Sequence, residues 1–165
     1  MKPRITDRRK IILVGMDFYG KPLPGGEDWS EQNAIGKLWA RFNNFLRKKK
    51  NTIEHLASES GYELWVDSEL EEDSSNNSVF VGLEVNELED VPIELGARIL
   101  PETKYAVYTF KGEEIKSDWP SKLLGWVAEA GLKQSYTYIF EYYDSQRFKG
   151  MDDASSELDV YVPVW

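Results

Sequence analysis

The order in which apolar spacing changes along the chain constrains its fold more than any single residue. "KIILVGMDF" (residues 10–18) is a compact β-branched run that ends at Gly20 and the turn cluster "KPLPGG", which reads as a strand and a loop. From Asp28 or Ser30 as N-cap, Ile35, Leu38, Trp39, Phe42, Phe45 and Leu46 then recur at helical spacing, and the basic run Arg47 to Lys50 suits the negative pole of that helix. "YELWVDS" and "SVFVGLEVN" follow as strands around the polar tip "ELEEDSSNN", which predicts a hairpin. The same order then recurs. "ARILPETKYAVYTFKG" is β-rich and interrupted near Pro101. A helix capped by Ser117 or Asp118 carries Leu123, Trp126, Val127 and Ala130 and stops at Gly131. "SYTYIFEYYD" and "ELDVYVPVW" close the chain as strands. Strand, helix, strand, strand, repeated, predicts an α+β domain of two pseudo-symmetric β-α-β-β units, with helices on one face of a mostly antiparallel sheet.

Composition narrows the chemistry. The 165 residues suit one domain, expected to span 1–165 with a flexible basic N-terminus at 1–9. The absence of cysteine excludes disulfides and thiolate metal sites, and the single histidine, His55, argues against an ordinary zinc site, so no metal is expected. "KPLPGGEDW" lacks the glycine spacing that cradles phosphates, and no cofactor is expected. A net charge of −9 opposes direct nucleic-acid binding and favours cationic partners. The apolar run after the basic N-terminus is too short for a signal peptide, and no stretch approaches the ~20 apolar residues of a membrane span, so the expected compartment is the cytoplasm.

Within "YTYIFEYYD" (residues 136–144), alternation puts Thr137, Ile139, Glu141 and Tyr143 on one face, and Tyr136, Tyr138, Phe140 and Tyr142 on the other. Both faces are largely apolar, so covering them draws Glu141 out of water, at a cost of several kcal/mol unless it is paired, hydrogen-bonded or protonated. A salt bridge to Arg98 or Arg147 would make it structural. A site role is the other reading. Asp159 and Tyr161 repeat the spacing of Glu141 and Tyr143, and two such strands side by side would form a carboxylate-and-phenol patch suited to flat organic cations. Trp65, Phe80, Tyr105 and Tyr108 are candidate walls, although each also fits ordinary core packing.

The segments "IGKLWARF", "VGLEV", "DVPIEL" followed by "LPETKYAVYTFKG", "FEYYDSQRF" and "ELDVYVPV", in this order, resemble the GyrI-like family. Its members are effector-binding domains of AraC-type and multidrug-responsive transcription activators, and gyrase-inhibitor-like proteins. The resemblance implies paired strand-helix-strand-strand units framing a ligand cleft, with the family's glutamate at Glu141 meeting cationic ligands among aromatic rings. One extra residue, Ser145 or Gln146, precedes Arg147-Phe148. Asp159 and Tyr161 fall near acidic and phenolic contacts of some members. No helix-turn-helix precedes residue 10, so the chain is expected to act as a sensor half that binds an amphipathic aromatic cation and reports it to a regulator or sequesters it. Two alternatives stay open. Some members act on cyclopropane-containing compounds, which would make Glu141 a general base and Tyr143 or Tyr161 a proton donor. The acidic "DSELEED" would suit an interaction with DNA gyrase.

Overall fold

The computed structural model describes residues 1–21, 33–67 and 76–165. Its strands are β1 (Arg4–Arg8), β2 (Ile11–Gly20), β3 (Leu56–Asp67), β4 (Asn77–Val85), β5 (Gly96–Leu100), β6 (Thr103–Lys111), β7 (Tyr138–Tyr143) and β8 (Glu157–Val164), and its helices are α1 (Ala34–Lys49) and α2 (Trp119–Glu129). All eight strands join one antiparallel sheet in the order β1-β6-β8-β7-β3-β4-β2-β5, curled into a half-barrel. The α+β architecture expected from the apolar spacing is therefore the one observed.

The two units are β2-α1-β3-β4 and β6-α2-β7-β8, and they meet along the β3–β7 seam. The outermost strands exchange between them. β1 precedes β2 in the chain but pairs with β6, while β5 precedes β6 but pairs with β2. The basic N-terminus expected to be a flexible tail is thus an edge strand in part, because Arg4 to Arg8 satisfy their backbone groups along β6.

Helix α1 starts later than expected. Its cap is Asn33, whose side chain accepts from the Gly36 backbone N–H, and Asp28 and Ser30 lie outside the described residues, as does the hairpin tip 68–75. Ile35, Leu38, Phe42 and Phe45 bury one stripe of α1 on Val14 and Met16 of β2 and on Val79, Val81, Leu83 and Val85 of β4. Burying side chains of this size contributes roughly 1.5–3 kcal/mol each. Asp118 is the N-cap position of α2, and Gly131, at φ 73°, ends it in the left-handed region that glycine tolerates. Trp119, Leu123 and Val127 pack on Tyr108 and Phe110 of β6 and on the even-numbered residues of β8.

Both helices lie on the same sheet face. The register 14↔83, 81↔63, 63↔141, 141↔160 and 160↔108 carries one face continuously from the α1 patch to the α2 patch, with Glu63 and Glu141 between them. The opposite face folds onto itself as the half-barrel interior, filled by Ile11, Leu13, Tyr62, Leu64, Phe80, Tyr105, Phe140 and Tyr161.

Candidate functional site

The centre of the helix-bearing face holds a feature that alternation within one strand does not reveal. Glu63 of β3 and Glu141 of β7 are direct register partners across the seam, and both are buried, at 4% and 8% exposure. Side chains directly opposite on antiparallel strands stand ~5 Å apart, where like charges repel.

Aromatic donors surround the pair. Trp39 Nε1 of α1 donates to Glu63 Oε1 at 2.7 Å, and Trp65 Nε1 donates to Glu63 Oε2 at 2.8 Å. Tyr143 donates its hydroxyl to Glu141 Oε1 at 3.3 Å. The Trp39 ring meets Tyr143 edge-on, with centroids 5.6 Å apart, and Phe148 also meets Tyr143 edge-on, at 4.7 Å. Gly61 makes room for the indole, since a Cβ there would stand 3.0 Å from the Trp39 ring.

Burial, then repulsion from Glu63 and a hydrogen bond shared with it, raise the Glu141 pKa well above the ordinary carboxyl value. The donors Tyr143 and Trp65 oppose that shift without cancelling it. Burial likewise raises the Tyr143 hydroxyl, with Glu141 and Glu63 adding to the effect, so the phenol remains a donor at neutral pH. Indole N–H groups can only donate, so Glu63 accepts at both oxygens, while burial and the facing carboxyl favour the protonated form of Glu141.

Neither suspected arginine touches Glu141. Arg98 NH2 bonds Asp17 at 3.0 Å, and Arg147 binds Asp159, Glu157 and Asp144. The other sequence candidates divide between the two faces. Trp65, Glu141 and Tyr143 come together. Asp159 and Tyr161 do not join them, because the β7–β8 register sets Glu141 opposite Val160 and places Tyr142 opposite Asp159. Asp159 is instead locked by Arg147 and accepts from Thr109 Oγ1 at 2.6 Å, which fastens the 144–148 turn to the sheet.

Tyr161 stacks on Phe140 at 4.6 Å in the half-barrel interior, where Arg98 lies 4.8 Å over Phe80 and the hydroxyls of Tyr105 and Tyr138 bond each other at 2.7 Å. Tyr108 packs under α2 against Trp126, at 5.8 Å. His55 bonds Glu89 at the surface, far in the sheet order from α2.

Sequence reasoning missed Glu63 and assigned Trp39 to the core. A signal was present, since Tyr62-Glu63-Leu64-Trp65 and Phe140-Glu141-Tyr142-Tyr143 share the pattern aromatic, Glu, any residue, aromatic. Among the described residues no cluster of His, Cys, Asp and Glu could hold a metal, and no helix is long and apolar enough to cross a membrane. Surface cavities of about 420 Å³, beside Met1 to Pro3 and Glu129 to Leu132, and about 570 Å³, beside Leu46 to Leu56, lie away from the carboxyl pair. The pair itself is roofed by rings.

The family model for the GyrI-like small molecule binding domain matches residues 1–164. The chain belongs to this family. It is 32% identical over 167 residues to the transcriptional regulator BrlR of Pseudomonas aeruginosa, covering 100% of this chain and 56% of BrlR. This GyrI-like chain thus spans little more than half the length of that relative. Its fold is similar to that of SAV2435 in a structure bound to tetraphenylphosphonium, with a TM-score of 0.73 and 12% identity, covering 100% of this chain and 94% of that one. It is similar also to EcmrR in an EcmrR–DNA complex, with a TM-score of 0.67 and 13% identity, covering 99% of this chain and 57% of that one.

Proposed function

We propose that this GyrI-like domain captures amphipathic aromatic cations on the sheet strip between α1 and α2, as the effector-sensing part of a transcription-regulatory system. The observation that carries this reading is the buried Glu63–Glu141 pair bounded by Trp39, Trp65, Tyr143 and Phe148. Two carboxyls with no basic partner among the described residues are costly in a fold that only needs packing, and a cationic ligand supplies the missing charge.

An aromatic cation entering here displaces the Trp39 and Tyr143 rings from each other and meets their faces. Each such contact contributes roughly 0.5–2 kcal/mol beyond the apolar burial. Attraction to a carboxylate in a partly dry site adds ~1–4 kcal/mol. The tetraphenylphosphonium-bound relative and the DNA-bound regulator relative support the ligand class and the regulatory setting.

The test is a titration with tetraphenylphosphonium, followed by the fluorescence of the site tryptophans. Wild-type protein should bind saturably, and the double variant Glu63→Gln/Glu141→Gln should bind at least about tenfold more weakly. The glutamines keep shape while removing charge, and each keeps one acceptor oxygen in place of two. Equal affinity in the double variant would remove charge capture from the mechanism.

A further inference from the structure

Two carboxyls at one locus differ from one in what charge they can present. A lone buried glutamate offers either zero or one negative charge. The Glu63–Glu141 pair has three protonation levels, and the close approach of the two carboxyls disfavours the doubly ionised one. Glu63 accepts two indole N–H bonds, while Glu141 receives one long phenol bond and lies directly opposite the other carboxyl.

Among the described residues, the groups facing Glu141 supply no further charge. They are Glu63 and Trp65 from β3, Tyr143 from its own strand and Val160 from β8, and α1 brings the Trp39 indole to Glu63. Arg147, on the adjoining turn, is committed to Asp144, Glu157 and Asp159. With one proton aboard, the pair therefore presents a single negative charge to a ligand.

We propose that this pair accepts flat aromatic dications by giving up its shared proton to solvent, and takes aromatic monocations without any proton exchange. The proposal rests on the cation-capture reading above and extends it to charge selectivity. The exchange is balanced: one proton leaves Glu141 for the buffer, and the second positive charge of the ligand takes its place, so the neutrality of the filled site is the same with either ligand. The two carboxyls, ~5 Å apart as register partners, match a compact dication whose charges sit on adjoining rings. They do not match one whose charges are separated by a long chain.

A matched pair of probes isolates the effect. N-methyl-4-phenylpyridinium and N,N′-dimethyl-4,4′-bipyridinium have nearly the same flat shape and differ by one charge. Calorimetry in buffers of different ionisation enthalpy counts protons released on binding. The dication should release close to one proton in the part of the pH range below the raised Glu141 value, and the monocation close to none. In that part of the range the ratio of dication to monocation affinity should rise toward tenfold per pH unit. Glu141→Gln should lower the ratio at least about tenfold, because the pair then has no proton to exchange.

Proton release that is the same for both probes, or a ratio that is flat with pH, would overturn the proposal whether or not the variant folds. If neither probe binds, the capture reading fails with it. If the monocation binds while the dication is excluded, only the exchange fails.

Discussion

Replacing Glu141 by glutamine should stabilise the protein, and the gain should grow with pH. Burial and the facing Glu63 raise the folded-state pKa of Glu141 well above the usual carboxyl value, whereas the unfolded chain returns it to the ordinary range. The protonated form is thus the one the fold prefers. Its contribution is fully present below about pH 4.5 and is lost as pH rises through the folded-state value. The limiting loss is about 1.4 kcal/mol per pH unit for one proton. In a domain of this size 1 kcal/mol shifts Tm by roughly 2–4 °C, so wild type should fall behind the variant by roughly 3–5 °C per pH unit until Glu141 ionises.

Glutamine is isosteric, still accepts the Tyr143 hydroxyl, and does not ionise. Thermal unfolding of both proteins by circular dichroism, from about pH 4 to 8, gives the difference directly, with most other titrations cancelling. The raised Glu141 pKa is refuted if the difference is constant with pH. It is refuted more strongly if wild type gains on the variant as pH rises, since that is the sign of a carboxylate paired with a cation.

Two further outcomes follow from packing and charge. Gly15 and Gly82 face each other across β2 and β4, and a Cβ at Gly15 would stand 1.8 Å from the Val81 carbonyl oxygen; Gly15→Ala should cost about 3 kcal/mol or more in urea unfolding, and a loss under about 1 would contradict the contact. Arg147→Ala leaves Asp159 buried at 1% exposure without its cation and should cost about 2–3 kcal/mol, below the fully buried range because Arg147 is itself 37% exposed; hydrogen exchange should report faster opening of residues 144–148, and unchanged protection there would dismiss the clamp.

Local periodicity settled a good deal of this. The alternation of "YTYIFEYYD" is enough to place Glu141 and Tyr143 on one face and Phe140 and Tyr142 on the other, because consecutive strand side chains must point oppositely. The helical stripes of α1 and α2 and the repeated unit order are legible for the same reason, as is the family resemblance those segments carry. Start points were less legible. Asn33 caps α1 downstream of Asp28 and Ser30, and Arg4 to Arg8 form a strand only because β6 offers an edge.

The site depended on information that no single segment holds. Whether two strands share a functional face is decided by their register, and a one-residue offset moves every side chain to the other side. The β7–β8 register sent Asp159 and Tyr161 into the half-barrel interior and to the Arg147 clamp. The β3–β7 register brought Glu63, some eighty residues away in sequence, directly opposite Glu141. By itself the sequence determined that a glutamate lies among aromatics on a strand. Tertiary pairing alone decided that, among the described residues, the group directly opposite it is a second carboxyl rather than an arginine, because pairing across the seam is a contact between two halves that each satisfy their own local rules.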